Sequence, residues 1–265
     1  MIAVTRMTVK EMASMGIRRS WLGLVAAGVA LVALAPAARA EDFGFDSFTT
    51  TVSGAQAGAH PDLSTIVNYN LAGDGSPAGR GKDLTVTLPQ GFLGNPQNVP
   101  VCPMAALTIG QCNPDSQVGV LTLLFDFNGS ISPFAVRVFH VATQPGHAAS
   151  FAAVALIPTV MINADIGPGH GYQLTTSIRS ASEAIPLAGS QLDFWGVPAD
   201  PSHDADRGGP ADSPRKPFLT YPANCSAGSL TAGADANSWE TPNIHVTATA
   251  SLPAPTGCGA LSIDP

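Results

Sequence analysis

Residues 117–127 read QVGVLTLLFDF, and the chain continues through Asn128-Gly129 into residues 134–143, which read FAVRVFHVAT. Both runs are rich in the β-branched and aromatic residues that are typical of strands. An Asn-Gly pair between two such runs is a strong turn signal, because both residues tolerate the positive φ angles of tight hairpin turns. The stretch predicts a pair of antiparallel strands, joined as a hairpin or as a wide β-arch.

Further strands are indicated on both sides of this pair, and Gly/Pro-rich turns separate them. They are predicted over residues 84–88, 149–157, 159–164, 172–178, 185–195 and 244–250. Helix signals are scarce, and only one short turn is expected, over residues 103–107, where Pro103 can start a helix. Many short strands at this spacing predict an all-β fold, an antiparallel β-sandwich of the immunoglobulin-like or jelly-roll type.

The first 40 residues differ from the rest of the chain. Residues 1–20 carry four basic side chains, residues 21–36 are apolar and uncharged, and Ala38-Arg39-Ala40 is a small-x-small cleavage site. We therefore predict a signal-peptide helix over residues 1–40, outside a folded domain over residues 41–265. The domain is expected to be secreted or held in the cell envelope, without stable membrane insertion after cleavage. An uncleaved anchor is the alternative, and the export route stays open.

The charge of the mature domain differs from that of the whole chain. The whole chain has 12 basic and 19 acidic residues, and the leader holds 5 of the basic and 1 of the acidic residues. The mature domain therefore has 7 basic and 18 acidic residues, a net charge of −11. An acidic surface repels phosphate backbones, so nucleic acid is not expected as a partner.

Four cysteines follow the leader: Cys102, Cys112, Cys225 and Cys258. An even number of cysteines in an exported chain predicts disulfides, because that compartment is oxidising. We favour pairing of neighbours, Cys102 with Cys112 and Cys225 with Cys258, and the two crossed pairings stay open. The spacing lacks the close cysteine pairs that are typical of zinc sites.

Residues 198–217, PADPSHDADRGGPADSPRKP, predict one long polar loop. Asp200, Asp204 and Asp206 lie close together in it, and carboxylate oxygens are ligands that Ca²⁺ prefers. The segment lacks the order of ligand residues that an EF-hand loop requires, and aspartate and proline are also common in ordinary turns. Calcium on these three residues is the only cofactor that the sequence indicates.

Two aromatic residues are candidates for stacking on a sugar ring. Trp239 follows a polar stretch and, with Tyr221, could form an exposed platform for a glycan. Motifs of catalysis are missing, since the sequence has neither a Gly-x-Ser-x-Gly elbow nor a His-Glu-x-x-His pair. The sequence therefore predicts no enzyme, and no catalytic residue is assigned.

Several short segments, taken together, resemble a family of secreted actinobacterial surface proteins with no established activity. The segments lie at residues 43–45, 55–61, 88–96, 112–119, 192–207, 217–225, 238–239 and 256–258. The resemblance covers almost all of the mature domain. It implies a β-sandwich module at the cell surface and supports the pairing of neighbouring cysteines, and it implies nothing about mechanism.

These observations favour a non-catalytic structural or adhesive module, secreted or on the cell surface, with cell-envelope glycans or surface proteins as partners. The alternative is a carbohydrate- or calcium-binding extracellular module centred on residues 198–217. An extracellular hydrolase is the third hypothesis.

Overall fold

The computed structural model describes residues 42–154, 159–167, 172–184 and 186–260, and the predicted signal peptide lies outside this range. Two short helices accompany thirteen strands: α1, Met104–Thr108, and α2, Asp204–Arg207. The strands are β1 Phe45–Val52, β2 Leu63–Tyr69, β3 Gly81–Thr87, β4 Leu93–Gly94, β5 Gln117–Phe127, β6 Ser130–Val141, β7 Ala149–Val154, β8 Thr159–Ile166, β9 Leu174–Ile178, β10 Leu187–Phe194, β11 Leu219–Thr220, β12 Leu230–Ser238 and β13 Val246–Leu252.

The predicted strand pair is a hairpin. β5 and β6 pair antiparallel from Gln117 opposite Phe139 to Phe127 opposite Ser130. Asn128 and Gly129 form the two-residue turn with φ angles of 54° and 82°, both in the left-handed region that such turns require. The hairpin prediction is confirmed, and the wide-arch alternative is wrong.

Eleven strands form one antiparallel sheet, in the order β1-β2-β10-β5-β6-β7-β8-β9-β3-β12-β13. The two edge strands, β1 and β13, lie against each other. Beside them Gln56 and Thr256 form a parallel bridge, in which the N–H of Ala57 donates to the carbonyl of Thr256 at 2.8 Å. The sheet therefore curls into a nearly closed, barrel-like form.

The all-β, antiparallel prediction is confirmed, whereas the sandwich arrangement is not. Two stacked sheets would define a sandwich. Within the described residues, the sheet beside the eleven-stranded one consists only of β4 and β11. The strand patterns predicted above are common to sandwiches and to closed sheets, because in both one face of each strand is buried.

Side-chain alternation explains how the sheet acquires its interior. Along β2, Leu63, Thr65, Val67 and Tyr69 are buried while the residues between them are half-buried. The same period of two is clear in β5, in most of β12 and in β13, since successive side chains point to opposite faces. Each strand therefore contributes a row of side chains to a shared core.

Glycines permit close approach between strands where the pairing register shifts. At Gly119, a β-carbon would lie 1.9 Å from the carbonyl oxygen of Asp193 in β10. At Gly189, it would lie 2.4 Å from the carbonyl oxygen of Val67 in β2. Any larger residue at either position would push neighbouring backbones apart.

Both disulfides join neighbouring cysteines, so the favoured pairing is confirmed and the crossed pairings are wrong. Cys102 and Cys112 have Cα atoms 5.3 Å apart and enclose α1. Cys225 and Cys258, here called the C-terminal disulfide, have Cα atoms 6.1 Å apart. The C-terminal disulfide lies two residues after Thr256, and so it fastens the segment that bridges the two edges of the sheet.

The segment at residues 198–217 is not a plain loop. It holds a turn of 3-10 helix, Pro201–His203, followed directly by α2, which ends at Gly208 with a φ of 84°. Among the described residues, no helix has the length and apolar character needed to cross a membrane.

Candidate functional site

An apolar cavity lies inside the barrel-like sheet. Its volume is about 110 Å³, and its walls are inward-facing side chains of seven strands, β2, β3, β5, β7, β8, β9 and β10. Typical wall residues are Leu63, Leu88, Ile162, Leu174 and Phe194. Since almost all atoms on the surface of this cavity are apolar, water inside it would find few hydrogen-bond partners.

One end of this cavity is covered by the small sheet. Gly94 of β4 and Leu219 of β11 line it, together with the adjoining Pro96 and Phe218. Phe218 packs edge-on against Phe194, with ring centroids 6.0 Å apart. These residues form the closed end of the interior.

A second cavity of about 180 Å³ continues the first one toward the other end of the sheet. Both cavities are lined by Leu84, Leu121, Ile178 and Ser190, so they adjoin each other. The second cavity is more polar, because the segment at residues 179–182 and the first residues of β3 line its outer end. We call this outer end the mouth.

Two basic side chains stand at the mouth, Lys82 of β3 and Arg179 just after β9. The ammonium group of Lys82 lies 5.0 Å from the centre of the Trp239 ring. The indole N–H of Trp239 donates to the carbonyl of Ala181 at 2.9 Å. Trp239 therefore positions both Lys82 and the segment after β9, through a cation–π contact and a hydrogen bond.

Tyr69 reaches across the interior at the same end. It is 7% exposed, and its hydroxyl oxygen lies 3.6 Å from where a β-carbon on Gly81 would be. Phe43 packs against the ring with centroids 5.0 Å apart. Burial raises the pKa of Tyr69 well above its usual value, so the phenol stays neutral and can donate.

Two of the three aspartates proposed as calcium ligands accept local hydrogen bonds. Both Oδ1 contacts of Asp200 come from Ser202, whose backbone N–H donates at 2.9 Å and whose hydroxyl donates at 2.8 Å, and these bonds lower the pKa of Asp200. Asp204 accepts a hydrogen bond from Arg207, and Asp206 is exposed. Among the described residues, no three His, Cys, Asp or Glu side chains converge on one point.

Arg207 organises this segment. The side chain is only 1% exposed, and its guanidinium donates to the carbonyl of Pro198, to the carbonyl of Gly209 at 3.1 Å, and to the Asp204 carboxylate. It lies 5.9 Å from the ring centre of Trp195. A buried, hydrogen-bonded cation thus holds the segment together, and calcium on these aspartates stays a prediction.

His203 also contacts Trp195. The two rings are parallel within 7°, with centroids 4.5 Å apart. The Nε2 atom of His203 lies 3.4 Å from Oδ1 of Asp62, which also accepts the N–H of Gly196 at 2.8 Å. Burial alone would raise the pKa of Asp62, but the hydrogen bonds from His203 and Gly196 lower it.

The expected pair of stacking aromatics does not form a surface platform. Tyr221 is 1% exposed, and its hydroxyl donates to the carbonyl of Pro253 at 2.7 Å. Its ring meets Phe92 edge-on, with centroids 5.7 Å apart. A sugar cannot stack on a ring that the core covers, so Tyr221 is not available as a platform, whereas Trp239 lies half-buried at the mouth.

The cavity was not predicted, although part of its signal is in the sequence. Lys82 lies two residues before Leu84, so alternation places it on the inward face together with Leu84 and Val86. A basic residue on the inward face at the start of a strand is a sign of an accessible interior. The remaining wall residues read as ordinary core residues.

A scan against protein-family models and searches of curated proteins and of solved structures found no match for this chain. The resemblance to secreted actinobacterial surface proteins therefore stays a prediction, and the functional argument depends on the geometry of the fold.

Proposed function

We propose that the protein is an exported, non-catalytic binding protein that holds an apolar molecule inside its barrel-like sheet. The two disulfides fit an extracellular location, and the predicted signal peptide supports export. The observation that carries the proposal is the pair of adjoining cavities, which are apolar over most of their length and polar only at the mouth.

An unfilled cavity of this size is costly for a folded domain. Residual apolar cavities destabilise proteins by about 24 cal/mol per Å³. For the inner cavity of about 110 Å³ this amounts to about 2.6 kcal/mol. Larger side chains on β9 or β10 would fill the space and remove this penalty. Thr176 and Ser190 line the cavity there, and their small polar side chains leave the space open.

The volumes indicate the size of the bound molecule. An apolar cavity of about 150 Å³ holds one benzene molecule. The inner cavity of about 110 Å³ and the outer one of about 180 Å³ each match a group of about six carbons. Together they fit an elongated apolar molecule that enters through the mouth.

A blocking substitution tests this function. Ser190 lines both cavities, so Ser190→Leu places a branched side chain where they meet. Ser251→Leu, at an exposed position of β13, is the matched control. The measurement is the fluorescence of the neutral apolar probe N-phenyl-1-naphthylamine, titrated into each purified protein.

The wild type and Ser251→Leu are expected to bind the probe with equal affinity, and Ser190→Leu to bind it at least about tenfold more weakly, a loss of about 1.4 kcal/mol. Thermal unfolding provides the check on folding, because a filled cavity should leave Ser190→Leu at least as stable as the wild type. Absence of probe binding by the wild type, or equal binding by Ser190→Leu, would overturn the proposal.

A further inference from the structure

The mouth concentrates positive charge in a domain that has little of it. Residues 41–265 hold seven basic side chains against eighteen acidic ones. Arg80 is neutralised by Glu183 and Glu240, and Arg207 by Asp204. Lys82 and Arg179, in contrast, make no ion pair within the described part of the chain.

Asp83, next to Lys82 in the sequence, also lines the outer cavity and brings one negative charge against the two cations. Asp83 accepts the backbone N–H of Ser180 through Oδ1 at 2.9 Å. Strand pairing places Leu84 opposite Ile178, so Lys82 and Arg179 come from adjacent strands at the same end of the sheet. Two cations on neighbouring strands, beside an apolar cavity, can receive one anionic group.

A neutral donor is buried beside these cations. The phenol of Tyr69 lines the outer cavity, as Lys82 and Arg179 do. The hydroxyl approaches Gly81, the residue before Lys82. A phenol hydroxyl at the wall of the cavity can donate a hydrogen bond to an acceptor group bound there.

We infer that the ligand is an anionic amphiphile of the fatty-acid class, with its chain in the apolar interior and its carboxylate at Lys82, Arg179 and the hydroxyl of Tyr69. This inference rests on the proposed binding function and specifies its ligand. The inner end, closed by Phe218 and Leu219, takes the methyl end of the chain.

The length of the interior sets the length of the chain. The six residue steps from Leu63 to Tyr69 in β2 span about 20 Å at about 3.3 Å per residue. A strand tilt of about 40°, typical of closed sheets, reduces this to about 15 Å along the axis. Carbon–carbon bonds of about 1.5 Å advance about 1.25 Å each along an extended chain, which gives about twelve carbons. The cavity volumes lead to the same length.

The test compares three twelve-carbon compounds: dodecanoic acid, 1-dodecanol and dodecylamine. Each competes with N-phenyl-1-naphthylamine for the purified protein at neutral pH and low salt, and the result is the ratio of the acid's Kd to the alcohol's Kd. The variants are Lys82→Gln, Arg179→Gln and Tyr69→Phe, with Lys216→Gln as the control. Lys216 is exposed and lies beside Pro217, at the other end of the interior.

The wild type is expected to bind the acid more tightly than the alcohol and the alcohol more tightly than the amine. Lys82→Gln and Arg179→Gln should each reduce the preference for the acid about two- to fivefold, as expected for one solvent-exposed ion pair. Tyr69→Phe should reduce it by about tenfold, because it removes a hydrogen bond to a charged group. Lys216→Gln should leave it unchanged.

The outcomes separate this inference from the function on which it rests. If the alcohol binds as tightly as the acid in the wild type, the inference is wrong and the apolar binding function stands. If the preference for the acid persists in all three mouth variants, the assigned head-group site is wrong. If none of the three compounds displaces the probe, both proposals fail.

Discussion

Replacing Arg207 with alanine should destabilise the protein strongly, although Arg207 lies in a segment that resembles a surface loop. Its guanidinium is buried against Trp195 and donates to the carbonyls of Pro198 and Gly209 and to the carboxylate of Asp204. The substitution removes a charge, four hydrogen bonds, including a long one of 3.4 Å to the carbonyl of Asp200, and the packing of an aliphatic stem.

The expected loss can be worked out from these contacts. Leaving the buried carbonyl of Pro198 without a partner costs about 1–3 kcal/mol. Losing about three buried methylenes of the stem costs about 2 kcal/mol, at about 0.8 kcal/mol for each. Asp204 is 36% exposed, so its carboxylate can be hydrated and adds little. The expected loss is about 3–5 kcal/mol, a large part of the stability of a typical domain.

Urea denaturation followed by far-UV circular dichroism measures this loss as a change in the free energy of unfolding. Arg215→Ala is the control, since Arg215 lies in the same segment and is exposed. The control should change stability by less than about 0.5 kcal/mol. Arg207→Lys should recover only part of the loss, because an ammonium group cannot reproduce the planar fork of donors. A loss below about 1 kcal/mol for Arg207→Ala would show that the cluster does not hold the segment.

Three further predictions concern the sheet and its edges. Gly119→Ala should cost about 3 kcal/mol or more, because its β-carbon would lie 1.9 Å from the carbonyl oxygen of Asp193. The control Gly233→Ala should be nearly neutral, since that position has open space around it. Equal losses of stability for the two variants in thermal unfolding would contradict this prediction. Changing both cysteines of the C-terminal disulfide to serine should reduce the free energy of unfolding by about 3.7 kcal/mol, because the disulfide closes a loop of 33 residues and so lowers the entropy of the unfolded chain. A loss below about 1 kcal/mol in urea denaturation would refute this prediction. Burial alone would raise the pKa of Glu240, but hydrogen bonds from the side chain and backbone of Arg80 lower it from 4.5 to about 2. The carboxylate of Glu240 is therefore protonated at lower pH in the folded state than in the unfolded state. The free energy of unfolding of the wild type should exceed that of Glu240→Gln above about pH 4.5, and this difference should decline as the pH falls toward 2. A difference that stays constant with pH in urea denaturation would contradict the prediction.

The local elements were predictable because their signals lie within a few residues. The bounds predicted for β5, residues 117–127, coincide with the observed strand, since the Asn-Gly pair at 128–129 ends it by turn chemistry. The short helical turn after Pro103 is confirmed as α1. The two disulfides join the neighbouring cysteines that the sequence favoured.

Five of the strands in the described residues were missed: β1, β2, β12 and the two-residue strands β4 and β11. β12 reads LTAGADANS, a composition that disfavours strands in isolation. Its alanines at 232, 234 and 236 are nevertheless buried on one face, because β3 and β13 pair with it on both sides. Tertiary pairing here overrides a weak local preference.

The candidate site was beyond sequence reasoning for a different reason. Asp200 and Asp204, which stood out in the sequence, accept local hydrogen bonds, and Tyr221 is buried. The inner cavity, in contrast, is lined mostly by Leu, Ile, Val, Ala, Phe, Thr and Ser residues of seven strands, which do not differ in sequence from ordinary core residues. Only their arrangement around an unfilled space distinguishes them.

The sequence by itself determined the β class, the central hairpin, the short helix and the favoured pairing of cysteines, because these depend on backbone preferences and on residues close together in the chain. The tertiary structure decided that the strands form one nearly closed sheet, that Arg207 is buried, and that Lys82, Arg179 and Tyr69 meet at one mouth. Such features depend on which distant strands pair, as β3 does with β9 and β12, and on the face that each side chain takes in that pairing. Pairing across a hundred residues is selected by the packing of the whole interior, and no short segment carries that information.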